Sequence, residues 1–171
     1  MPFTDLLRVT VLLTGAEATA LAAVTAVATN RDSDTRTLAV AAAWWLIALL
    51  VGFYLGRPSR AAEALRVALA RARTATSLPP ETPARIAFGR LWPIGLTAVA
   101  AGVLGVFFPG VAAIAAGYAL LVSLAWHSRE AAVLAIEQRD GVKFYVVPNS
   151  ALRPVQLVRS PGLRSDHLRR A

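Results

Sequence analysis

Between Arg90 and His127 run 36 residues without a formal charge, broken near the middle by Phe107-Phe108-Pro109-Gly110. About 20 apolar residues in a helix cross the hydrocarbon core of a bilayer, so this stretch is long enough to cross twice. The Pro-Gly pair sits where a tight turn would join the two crossings. The stretch reads as a helical hairpin in a membrane, and that reading limits what the rest of the chain can do.

Two further apolar segments precede it. Residues 9–28 carry one charge, Glu17, and residues 37–56 carry none. At about 1.5 Å per residue, a helix of about 20 residues covers the roughly 30 Å of hydrocarbon. With spans at 91–108 and 111–126, the expected fold is an all-α integral membrane protein with four transmembrane helices, residues 1–126 forming the membrane domain. The last two spans are short and have room to lengthen at their basic ends. Thr82-Pro83 reads as an N-cap followed by proline at the first helical position. Pro93 is expected in the first turns of that helix, since deeper in it would kink it. Ala20-Leu21-Ala22 resembles a cleavage site, but Asp5 beside Arg8 and Glu17 within the apolar run favour a retained helix over a signal peptide.

Charge then sets orientation. The connector 57–90 holds seven arginines against Glu63 and Glu81, and the tail 127–171 holds eight basic residues against four acidic ones. The loop from Thr29 to Arg36 is balanced, and the Phe108-Pro109-Gly110 turn is uncharged. Basic flanks stay on the cytoplasmic side, which puts both termini in the cytoplasm of a multi-pass cell-membrane protein. The net charge of +8 follows the ends of the spans and no groove-reading motif is present, so nucleic acid is not an expected partner. The anionic inner leaflet is the expected one. Phe53-Tyr54, Trp92 and Trp126 fall at the same ends, where amphipathic rings favour the headgroup level. Trp44-Trp45 lies deeper and faces lipid or a neighbouring helix.

Within the connector, Arg60 to Thr74 is amphipathic. Ala61, Ala64, Leu65, Ala68, Leu69 and Ala72 share one side, with Arg60, Glu63, Arg66 and Arg71 largely on the other. It reads either as a helix lying on the inner leaflet or as an extension of the second span, and Arg60, Arg66, Arg71 and Arg73 are the candidate contacts to anionic lipid or a partner. Leu78 to Pro83 then forms a stiff linker. The tail reads as helix into the 130s, a turn at Asp140-Gly141 and a strand at 142–147, giving a short α/β-hairpin-like element. Around Val133 to Gln138 a competing strand reading exists. Arg153 to Arg159 could add an edge strand to the hairpin or to a partner, and Arg164 to Ala171 reads as a disordered basic end.

Association of helices in lipid relies on close backbone approach and interhelical hydrogen bonds. Ala48, Gly52 and Gly56 form a small-residue stripe on the second span, the strongest of several in this alanine-rich chain. The one residue that asks for chemistry is Glu17, about 13 Å along its helix from Arg8 at 1.5 Å per residue. Thr10, Thr14 and Thr25 share its face. An ionisable group at that depth marks a pathway, a relay or a register-fixing contact. No cation lies within the other spans at this depth, and Thr97 and Tyr118 fall at similar levels, so their hydroxyls are the expected partners.

The chain is similar to the small multidrug-resistance transporters in its four short spans and in the single glutamate, Glu17, of the first. That resemblance covers Glu17 and the span count, and this chain is longer, with a basic connector and tail. It implies an oligomeric, proton-coupled transporter.

Three function classes follow. The leading expectation is a membrane protein without catalytic activity, a scaffold, assembly factor or accessory subunit whose basic face contacts anionic lipid or a partner protein. The second is an oligomeric proton-coupled transporter or lipid-carrier flippase using Glu17. An enzyme is not expected: paired carboxylates, a nucleophile elbow and metal-ligand spacing are missing, and Tyr118, Ser123 and His127 share one helix and lack triad geometry. With no cysteine and two histidines 40 residues apart, no metal or other cofactor is expected.

Overall fold

The computed structural model describes residues 1–57, 65, 69, 73–74, 82–147 and 155–161. Five helices carry most of them: α1 (Phe3–Arg31), α2 (Thr35–Leu55), α3 (Pro83–Phe107), α4 (Pro109–His127) and α5 (Arg129–Asp140). Among the described residues, four stretches are long and apolar enough to cross a membrane, namely α1, α2, α3 and the continuous α4–α5 unit. Among the described residues, three strands, β1 (Arg73–Thr74), β2 (Val142–Val146) and β3 (Leu157–Pro161), form one sheet in the order β1-β3-β2.

Local chemistry accounts for the turns. Asp34 caps α2 by accepting the Thr37 backbone N–H at 3.1 Å. Its carboxyl is held below the ordinary aspartate range, first by hydrogen bonding from the Thr37 side chain and then from its backbone. Phe108 alone separates α3 from α4: its N–H reaches the Leu104 carbonyl at 2.8 Å, and its carbonyl accepts from Val111 at 2.9 Å. Pro109 opens α4, where its missing N–H costs nothing. Helix α5 stops at Gly141, whose φ of 63° is the left-handed conformation that glycine tolerates. The β-prone run from Val133 to Gln138 is therefore helical, and Val142–Val146 pairs antiparallel with Leu157–Pro161, Phe144 opposite Arg159.

In the bundle, α1 and α4 form the central pair, α2 packs on α4, and α3 packs on both α1 and α4. Helix α1 begins at Phe3, earlier than its apolar run suggests, because its first turns belong to a second core. Phe3, Leu6 and Leu7 bury there with Leu65, Leu69, Ile86, Val133, Phe144, Val146 and Leu157. This cap closes the end of the bundle that carries the N-terminus. It also takes in the N-terminus itself, since Val146 donates its backbone N–H to the Met1 carbonyl at 3.0 Å.

Several expectations shift. Pro93 sits well inside α3, because that helix starts at Pro83. Arg73 lies in β1, paired parallel with Val158, so the helical pattern of the connector does not run through to Thr74. Leu65 and Leu69 are helical and bury in the cap core at 5% and 6% exposure, which places them against protein. Arg60, Arg66 and Arg71, the Leu78–Glu81 linker and the Arg164–Ala171 end lie outside the described residues.

Candidate functional site

Glu17 opens onto a cavity of about 320 Å³ between α1, α3 and α4, lined also by Thr14, Leu21, Ile94, Thr97 and Tyr118. Glu17, Thr14, Thr97 and Tyr118 thus lie around one cavity. Thr10, one turn below Thr14, is buried but lines a different cleft.

The expected hydrogen bonds from Thr97 and Tyr118 are not formed to Glu17 Oε1, which is buried and meets no partner among the described residues. The reason lies in where threonine hydroxyls go in an apolar helix. Thr10, Thr14 and Thr25 donate to the carbonyls of Leu6, Thr10 and Leu21 at 2.7, 2.9 and 2.9 Å, and Thr97 donates to Ile94 at 2.8 Å. Each hydroxyl satisfies itself on its own helix, four or three residues back, and needs no neighbour. Tyr118 instead stands edge-on to Trp44, ring centroids 5.3 Å apart, and is 57% exposed at the rim of the bundle. The resulting cavity is mainly apolar, with one carboxyl group on its wall.

Helix contacts are made by small residues and by indoles. Ala48 is fully buried on α2. A side chain added at Gly52 would stand 2.9 Å from the Leu124 Cβ, and one at Gly56 would run into the Leu124 carbonyl. Both glycines therefore let α2 lie against α4. Trp44 and Trp45 turn their indole N–H groups to that helix, donating to the Ile114 and Ala113 carbonyls at 3.2 and 2.9 Å. Gly117 makes room for the Trp44 ring. Two hydroxyls add cross-links, Ser123 to the Val11 carbonyl at 3.2 Å and Ser128 to the Gly56 carbonyl. In hydrocarbon such bonds have no water to compete with them.

A second cleft, of about 400 Å³, lies where the cap meets the bundle and was not foreseen from sequence. Arg90 and Arg129 line it, with Thr10, Ile94, Trp126 and Leu157 among its walls. Arg129 is half-buried, its guanidinium carbon 4.5 Å from the Trp126 ring centroid. The signal was present: Arg90 and Arg129 bracket the charge-free hairpin, and a hairpin returns its two ends to one surface. Ile94 borders both cavities. Among the described residues, no three of His, Cys, Asp or Glu come together in a way that could hold a metal ion. Comparison with known proteins gives no matching family model, no matching curated relative and no matching solved structure.

Proposed function

We propose that this chain is a non-catalytic membrane subunit, a scaffold or accessory protein, with both termini in the cytoplasm and its capped end against the anionic leaflet. The observation that carries the reading is the cap. It draws on the N-terminus, on connector residues Leu65, Leu69 and Arg73–Thr74, and on the tail strands, so three separated segments fold into one module at the arginine-rich end. A bundle whose function lay wholly within the membrane has no need of such a module. A folded element fixed to the inner ends of four helices offers lipid headgroups or a partner protein a rigid basic surface. Positive-inside placement supports the orientation, and anionic lipid supports the charge. The test is isolation of the full chain from native membranes in mild detergent. Recovery with a stoichiometric partner or retained anionic lipid is expected, and a lone, lipid-free monomer overturns the reading.

A second reading has its own observation, the Glu17 wall of the cavity between α1, α3 and α4. A carboxyl facing an apolar cavity within the membrane suits proton-coupled movement of a substrate by an oligomer, or flipping of a lipid carrier. Glu17→Gln separates the two readings. Substrate uptake into vesicles that proceeds at full rate with glutamine ends the coupled-site reading, and impaired assembly alone assigns Glu17 to structure.

A further inference from the structure

The cavity between α1, α3 and α4 has a hydrogen-bonding capacity that the packing of the bundle leaves unused. Its polar wall is Glu17, Thr14, Thr97 and Tyr118, and the rest is aliphatic. The hydroxyl protons of Thr14 and Thr97 are already given to the carbonyls of Thr10 and Ile94, at 2.9 and 2.8 Å. Their oxygens, like those of an ionised carboxyl, can then only accept. Glu17 Oε1 is buried and meets no hydrogen-bond donor among the described residues. Of the hydroxyls, only that of Tyr118 has a proton to offer, and it stands at the rim, 57% exposed. No arginine, lysine or histidine is among the described residues of the lining, and none lies in the four apolar runs of the sequence. A carboxylate at membrane depth is costly without a cation beside it.

The cavity also has a definite mouth. Thr97 on α3 and Tyr118 on α4 are both exposed and lie within apolar spans, so the opening between these helices faces hydrocarbon. Toward their turn the two helices close on each other, where a side chain at Gly105 would strike the Ala112 Cβ. The volume of about 320 Å³ is at the small end of the range for pockets that take small molecules.

We infer that this cavity binds a small primary or secondary alkylammonium entering from the bilayer, its N–H groups donating to Glu17 and to the threonine oxygens, its apolar body against Leu21, Ile94 and Val122. Charge complementarity selects a cation. The accepting wall selects a cation that carries N–H donors, in preference to a quaternary ammonium of similar size. The aliphatic lining selects an organic body over an inorganic ion. The inference rests on the second reading, in which Glu17 faces a substrate, and it names the class of that substrate.

The experiment uses the full chain in phosphatidylcholine nanodiscs, with empty nanodiscs as the blank for partitioning. Calorimetry measures saturable binding of hexylammonium, its N,N,N-trimethyl analogue and hexanol. One hexylammonium per chain is expected, held about tenfold more tightly than the trimethyl analogue, the equivalent of about one charge-assisted hydrogen bond. Glu17→Gln should lower its affinity by about tenfold or more, and Glu17→Asp, which keeps the charge, should fall between. Thr97→Val should weaken hexylammonium about threefold and leave the trimethyl analogue unchanged. Thr19→Val, on α1 but lining a different groove, should bind as wild type does. Thermal unfolding identifies any variant that has merely lost its fold, and Thr97→Val, at an exposed position, then decides. Equal affinity of the wild type for the two ammonium ions overturns the donor requirement and the proposal with it. Hexanol bound as tightly as hexylammonium overturns selection by charge. Wild-type affinity in Glu17→Gln overturns both this site and the second reading. No saturable hexylammonium binding overturns the substrate class alone, and the second reading then stands or falls on vesicle uptake.

Discussion

The cap and the bundle of one short chain are held together by opposite choices of side chain. The cap core is built from large groups: Phe3, Leu6, Leu7, Ile86, Val133, Phe144, Val146 and Leu157. The buried positions of the bundle are mostly Ala41, Ala48, Gly52, Gly105, Ala112, Ala113, Ala116 and Gly117, with four threonines. Large residues of the bundle, such as Leu50, Leu96, Val99 and Phe107, point outward. The difference follows from the solvent. In water, burial of each large apolar side chain contributes about 1.5–3 kcal/mol, so the cap gathers them. In hydrocarbon a leucine gains little by turning inward, and stability comes from backbones brought close enough for dispersion contacts and indole or hydroxyl hydrogen bonds.

That contrast can be broken or sharpened by substitution. The largest effect is expected in the cap, where Phe144→Ala should lower stability by about 3–5 kcal/mol, read from thermal or denaturant unfolding in detergent. In the bundle the sign of the size change reverses. Adding one methyl at Gly56, against the Leu124 carbonyl, should cost about 1–3 kcal/mol by forcing α2 off α4, and loss of the Trp44 and Trp45 fluorescence environment would report it. Gly141→Ala should cost about 1 kcal/mol through backbone strain alone, because nothing lies within 4 Å of an added Cβ there. Leu50→Ala, on a lipid-facing position, should stay within about 0.5 kcal/mol. If Leu50→Ala proves as damaging as Phe144→Ala, the two regions do not differ as described.

The smallest effect is a pH dependence at the opposite end of the molecule. The Asp34 carboxyl is depressed in the folded state by hydrogen bonds from Thr37, so its contribution is present above the ordinary aspartate range and is lost as pH falls through the folded value. Fraying of the start of α2 on acidification, followed by amide exchange at Thr35–Leu38, should vanish in Asp34→Ala.

How much of this was legible depended on distance along the chain. The four spans follow from runs of apolar residues, and the turns at Phe108-Pro109 and Asp140-Gly141 from proline and glycine, all local signals. The cap was not legible as a unit. Phe3, Leu6 and Leu7 look like the ragged end of a span until Phe144, Val146 and Leu157 are known to cover them, and the pairing of Arg73 with Val158 joins segments far apart in sequence. The Glu17 neighbourhood was half legible. Helical counting brought Thr14, Thr97 and Tyr118 to its level, but counting cannot show that threonine hydroxyls are already satisfied by their own helix. The Arg90–Arg129 cleft needed the hairpin closed in space before its two ends met.

For these roles the cap and the Asp32–Asp34 turn must lie on opposite sides of a membrane, the cap inside. The chain has no cysteine, so single cysteines can be introduced at Asp32 and at Lys143, both exposed, without a competing thiol. Membrane-impermeant maleimide applied to intact cells should label Asp32→Cys and reach Lys143→Cys only after permeabilisation. Labelling of Lys143→Cys on intact cells would contradict the account.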